Sequence, residues 1–157
     1  MNHANVQSVQ KTIVVNAPLA RAFKVFTEGL DKWWPRSHKI GQAALQRAVL
    51  EPRAGGRWYE VGEDGAQCEW GKVLVYEPPH RLVLAWQINA LWQFDGTLVT
   101  EVEVKFIAEG EKRTRVELEH RNLERFGAHA AEIRKTFESE QGWGGILEGF
   151  SRAVTGV

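Results

Sequence analysis

Histidine is the side chain whose unperturbed pKa puts a charge change near neutrality, and His120 stands where that chemistry could be used. It ends the run Thr114, Val116, Leu118, His120, which alternates with Arg113, Arg115, Glu117, Glu119 and Arg121. An apolar set and a charged set at period two make a strand with one covered and one wet face. The parity turns His120 towards the covered side, where it could hydrogen-bond a ligand or act as acid or base; the plainer role is a partly buried histidine bonded to a neighbour. Glu69, beside Trp70, and Glu51, ending an apolar strand, are the carboxylates expected to face inward. Removal from water would suit either of them for acid–base chemistry, and the plainer role for each is a solvated outer-face glutamate. Arg57 and Tyr59 share a parity in GGRWYEV and could hold an anionic or carbonyl group, although an ion pair at a rim is the simpler use of Arg57. Cys68 has no evident activating base and reads as a small strand residue.

Seven of the 157 residues are tryptophan. Indole is large and flat and carries one N–H that needs a partner, so several indoles on one sheet and one facing helix often wall a space instead of filling it. Trp143 is expected to pin the last helix to the sheet and to line the space secondarily. Trp70 and Trp86 fall in strands, as cavity wall or packed core. Trp33, Trp34 and Trp92 fall in or near loops, where lids over a cavity are a reasonable use. The segment from Gln87 to Thr97, with Trp92 and Phe94, could be such a lid or a contact between two copies of the chain.

Other chemistries lack their residues. His3, His38, His80 and His129 are scattered, so no group of three or four metal ligands forms and no metal site is expected. There is no nucleophile elbow, phosphate-cradling loop or metalloprotease helix, and Gly55-Gly56 is a turn between strands; no cofactor is implied. Lysine plus arginine equals aspartate plus glutamate at 20 each, which gives no global attraction for nucleic acid or an anionic membrane. The single cysteine excludes an internal disulfide framework and fits a reducing compartment. MNHANVQSVQKT has no basic-then-apolar pattern, and no apolar run reaches the ~20 residues of a membrane span. A cytoplasmic protein is the expectation.

The elements that must position these residues follow from periodicity. Val9 to Val15 is rich in β-branched residues and should be the first strand. Asn16 reads as an N-cap with Pro18 in the first helical turn, and Leu19, Ala22, Phe23 and Phe26 give one apolar helix face, ended by Gly29. Leu30 to Trp34 should form a further turn that stops before Pro35. Strands are expected at about Leu45–Glu51, Gly56–Val61, Gln67–Tyr76 and Leu82–Ile88, several apolar on both parities, followed by the hairpin that carries His120, with Glu109-Gly110-Glu111 as its turn. Phe126, Ala130, Ile133 and Phe137 form one helical stripe. Trp143, Ile146, Leu147, Phe150, Ala153 and Val154 form another, expected as one long helix starting near Phe137 to Gln141. No repeat or linker interrupts the chain, so residues 1–157 are expected to form a single domain with an ordered core from about 9 to 154.

Strand, two short helices, a run of antiparallel strands and a C-terminal helix is the order of an α+β helix-grip fold, a curved sheet wrapped around the last helix with a cavity between them. NAPLARAFKVFTE, the Trp33-Trp34-Pro35 turn, PRAGGRWYEV, WGKVLVYEPPHRLVLAW, TRVELEHRNL and GWGGILEGF, in this order and spacing, resemble the START-like (SRPBCC) superfamily, in the branch similar to the activator of the heat-shock-protein-90 ATPase. The resemblance spans about Val9 to Val154. It implies a cavity for a small hydrophobic or aromatic molecule, with a co-chaperone-like role and a cyclase- or hydrolase-like enzyme as alternatives; a chaperone and a second copy of the chain are the partners these would add. Eukaryotic co-chaperones of the branch also carry a separate N-terminal domain, which this sequence is expected to lack because its first strand begins by about Val9. The ligand-binding residues expected are Trp33, Trp34, Arg57, Tyr59, Trp70, Trp86, Trp92, His120 and Trp143, with His120 and Glu69 as catalytic candidates.

Overall fold

The computed structural model describes residues 6–155; His3 lies outside the described residues. Seven strands form one antiparallel sheet in the spatial order β1-β7-β6-β5-β4-β3-β2, so β1 closes on the last strand and each later pair is a hairpin neighbour. The strands are β1 (Val9–Val15), β2 (Leu45–Leu50), β3 (Arg57–Gly62), β4 (Gln67–Glu77), β5 (Arg81–Trp86), β6 (Thr100–Gly110) and β7 (Arg113–Arg121). The sheet is curled, and helices α1 (Leu19–Thr27), α2 (Leu30–Trp33), α3 (Ala130–Glu138) and α4 (Gly145–Thr155) accompany it in the helix-grip arrangement. Among the described residues no helix is long and apolar enough to cross a membrane.

Alternation decides which face of the central hairpin is covered. Val102, Val104 and Phe106 of β6 stand opposite His120, Leu118 and Val116 of β7, and all six are buried. The other parity is polar, with Glu103 held between Arg81 (2.6 Å) and Arg121 (2.7 Å). Phe26 of α1 joins the helices to this sheet, its ring 5.5 Å from Phe106, 5.1 Å from Phe150 of α4 and 4.9 Å from Trp33.

Two local readings are corrected. Asn16 does not cap α1: the cap position is Pro18, whose carbonyl accepts from Ala22 N at 2.9 Å. Proline can hold this place because its fixed φ suits the extended cap geometry and it need donate nothing there. The C-terminal helix is divided. α3 ends at Glu138, Ser139 after it is extended, and a wide turn over Glu140–Gly144 leads into α4. Gly142 makes the break (φ −97°, ψ −137°), and a Cβ there would lie 2.3 Å and 2.5 Å from the carbonyl oxygens of Phe137 and Thr136. The backbone therefore closes on itself too tightly for any side chain, while Gly144, whose Cβ would meet nothing nearer than 3.7 Å, has room.

Two substitutions separate these glycines. Gly142→Ala is expected to lower the denaturation midpoint clearly, whereas Gly144→Ala leaves it unchanged or raises it by the equivalent of up to about 1 kcal/mol through the less flexible unfolded chain. Equilibrium unfolding in urea measures both, and equal effects at the two positions would contradict the account of the break.

Candidate functional site

The break brings Gln141, Gly142 and Trp143 over the open end of the sheet, where they close one side of a cavity of about 500 Å³. The indoles of Trp34, Trp70, Trp86 and Trp143 wall it, with Ile88, Phe137 and Ile146 between them. Ring centroids of Trp34 lie 5.0 Å from Trp70 and 6.3 Å from Trp143, and those of Trp86 and Trp143 are 5.9 Å apart. Trp92 stands at the mouth, 44% exposed, with its ring 6.5 Å from Phe137. Its φ of +60° is uncommon for a bulky residue. Asn89 braces the surrounding turn by accepting from Leu91 N and Gln93 N at 3.0 Å each.

Each wall indole spends its N–H on the protein. Trp34 donates to the carbonyl of His38 (2.9 Å), Trp70 to Glu60 Oε1 (2.8 Å), Trp86 to the carbonyl of Ile88 (3.1 Å) and Trp143 to His120 Nδ1 (3.1 Å). The cavity is thus faced by ring faces and C–H edges. Its polar lining is supplied by Ser37, His38, Lys39, Thr136 and Gln141. His38 Nε2 donates to the Gln141 carbonyl at 2.6 Å, which ties the segment after α2 to the turn between α3 and α4.

His120 is sealed behind this wall and does not line the cavity. Trp143 can only donate, so Nδ1 accepts and the proton sits on Nε2, which donates to Thr100 Oγ1 at 2.8 Å; Thr100 passes its own proton to the Trp86 carbonyl at 3.1 Å. Phe137 stacks on the imidazole at 4.5 Å. Burial pushes the pKa of His120 down from 6.5 to about 3. Its inward parity agrees with the sequence reading, but with both nitrogens occupied and no route to solvent it is a structural post and not an acid or base.

Glu69 and Glu51 also lie away from the cavity. Glu69 forms a two-pronged ion pair with Arg57, through Arg57 Nε at 3.1 Å and through Nη2. The Arg57 guanidinium lies 3.9 Å over the Tyr59 ring. Glu51 accepts from Arg57 N (2.8 Å) and from Arg53 (3.1 Å). Arg57 and Tyr59 share a face, as their parity required, yet it is the face opposite Trp58 and Glu60. Trp33 is core and not a lid: it is 5% exposed and donates to the Val25 carbonyl at 2.9 Å. Trp34 is wall and not lid, which leaves Trp92 as the indole at the mouth. Burial, reinforced by Glu60, raises the Cys68 thiol above its ordinary value, so Cys68 is not an activated nucleophile.

Four residues around this site were not singled out by the sequence reading. Glu60 is fully buried and accepts from Ile40 N (2.6 Å), Gly41 N (3.0 Å) and Trp70. It anchors one wall and the segment above it, and its parity with Trp58 was the available signal. His38 and Lys39 sit in an irregular segment where no periodicity could point to them. Trp58, also buried, has no protein partner for its N–H.

A curled antiparallel sheet closed by C-terminal helices over an indole-walled cavity defines a helix-grip protein with a built-in ligand-sized space. The chain belongs to the family described as activator of Hsp90 ATPase homolog 1-like proteins, whose model matches residues 16–155. No curated protein matches the chain. Among solved structures it is similar to the anthrahydroquino-γ-pyrone synthase Txn09 (37% identity, 97% of this chain and 99% of that one, TM-score 0.66). It is also similar to CalC, a self-sacrificing resistance protein from Micromonospora echinospora (32% identity, 98% and 96%, TM-score 0.71). The Aha1 dimer from Colwellia psychrerythraea shares the fold at 16% identity (94% and 95%, TM-score 0.60).

Two stability measurements test this wiring. The unfolded His120 takes up a proton near 6.5 and the folded one only at about 3, so its contribution is complete above pH 6.5 and drains away as the pH falls towards 3. The loss of stability between neutral pH and pH ~5 should shrink in His120→Gln, which can still accept from Trp143 and donate to Thr100; an unchanged pH slope would contradict the assignment. Trp70→Phe removes a donor from buried Glu60, whereas Trp58→Phe removes an unpaired one. The first is expected to cost about 1–3 kcal/mol more than the second by chemical denaturation, and equal losses would count against Glu60 as an anchor.

Proposed function

We propose that this chain binds a flat, fused-ring aromatic molecule in the indole-walled cavity. The observation that carries the reading is the wall itself. Four indoles whose N–H groups are already satisfied offer stacking and apolar contact but no hydrogen bonds, which favours a planar ring system over a polar metabolite. The volume of about 500 Å³ falls in the usual range for small-molecule sites, about 300–1,000 Å³. Similarity to a synthase named for a fused aromatic product, at 37% identity over nearly the whole chain, supports the same chemical class. Trp34, Trp70, Trp86, Trp92 and Trp143 are the contacts proposed from the expected set, with His38, Lys39 and Gln141 added at the rim.

The same similarity favours a second reading, in which the bound molecule is also turned over. Because His120 is sealed, an acid–base group for such a reaction would have to come from the rim, and His38 is the imidazole that lines the cavity.

Titration with 2-(hydroxymethyl)anthraquinone, followed by tryptophan quenching, tests the proposal. One saturable site is expected, weakened about tenfold or more by Thr136→Trp, which fills the mouth from an exposed position and costs a bound ring its contacts. Absence of saturable quenching, or binding indifferent to Thr136→Trp, would overturn it.

A further inference from the structure

The cavity has polar groups in its lining and an electrical sign. Its four wall indoles are spent on protein acceptors, so orientation and selectivity towards a ligand fall to the groups at the rim. Of the residues that line it, Lys39 carries the one full charge, His38 is the only other titratable group, and no aspartate or glutamate is among them. Lys39 Nζ donates to the backbone carbonyls of Gly41 at 2.7 Å and Gln42 at 3.4 Å. Among the described residues no carboxylate lies within ion-pair distance of it, although twelve such contacts form elsewhere in the chain. Two carbonyl dipoles orient an ammonium without neutralising it. Glu60, beneath the same segment, has its oxygens on Ile40, Gly41 and Trp70 and does not line the cavity. Lys39 therefore stands half-buried and without an ion-pair partner among the described residues, in the lining of an apolar space where a charge interaction is worth more than in open water.

We infer that the ligand carries an ionised acidic group, a carboxylate or an acidic phenol, which docks against Lys39 while its rings lie among the indoles. The inference rests on the aromatic-ligand reading above and adds the end of the molecule and its charge. His38 and Gln141, already bonded to each other across the mouth at 2.6 Å, hold the two segments that bring the lysine to the cavity. A ligand with a cationic end would meet Lys39 as a like charge, and a neutral one would leave the cation without a partner; sign, more than shape, then separates ligands of equal ring size.

Anthraquinone-2-carboxylate and the neutral 2-(hydroxymethyl)anthraquinone differ in charge and hardly in shape. With wild-type protein at neutral pH and low salt, the carboxylate is expected to bind about tenfold tighter, the size of a charge-assisted contact. Lys39→Met should remove that preference, and Lys39→Glu should reverse it. Lys32→Met, an exposed control on α2, should keep it. Equal binding of the two probes by the wild type, or a preference that survives Lys39→Met, would overturn the inference while leaving the aromatic reading standing. Failure of both probes to bind would overturn both.

Discussion

A single buried hydrogen bond, from the indole of Trp143 to Nδ1 of His120, ties the broken helical tail to the sheet, and the cavity depends on it. The imidazole is fixed on its other side by Thr100, which hands the chain of donors on to the backbone of β5 at Trp86. One network therefore crosses β5, β6, β7 and the turn between α3 and α4. Burial of a polar group in such a place is costly unless every site is met, and here each donor has its acceptor. The neutral imidazole is the only form that fits, because a second ring proton would face the Trp143 N–H.

Satisfaction of the core and character of the cavity are then the same fact seen from two sides. Trp34, Trp70, Trp86 and Trp143 each turn a polar edge towards the protein and an apolar surface towards the space. Glu60 does for Trp70 what His120 does for Trp143, and it also holds the backbone of Ile40 and Gly41 above it. Polar side chains of the lining include His38 and Lys39, on an irregular stretch joined by one hydrogen bond to the carbonyl of Gln141.

Much of the fold was legible because the strongest local signals and the tertiary solution agree. The alternation in β6 and β7 reads as one covered and one wet face, and so it folds, His120 inward included. The stripes on α1 and α4 bury the residues their periods select. Where β3 and β4 are apolar on both parities, alternation could not choose a face. A register shift lies between Trp58 and Tyr59, opposite Trp70. Arg57, Tyr59 and Glu69, named among the ligand or catalytic candidates, do not line the cavity, the ion pair being the use the structure makes of Arg57, and Glu60 gave no signal strong enough to be singled out. Trp33 and Trp34 looked like loop residues because α2 is a single turn, yet tertiary packing buries both. The division of the tail was signalled by Gly142, Gly144 and Gly145, but only the close approach of backbone carbonyls, those of Thr136 and Phe137 to Gly142 and that of Glu140 to Gly145, shows which of them are needed.

The central claim is that a flat ring enters a space whose indoles keep their own hydrogen bonds. Indole N–H resonances in a two-dimensional ¹H–¹⁵N spectrum report this directly. Saturation with a planar aromatic probe should shift the signals of Trp34, Trp70, Trp86 and Trp143 by ring currents while these protons remain slow to exchange with solvent. Shifts confined to exposed Trp92, or rapid exchange of the four wall protons, would contradict it.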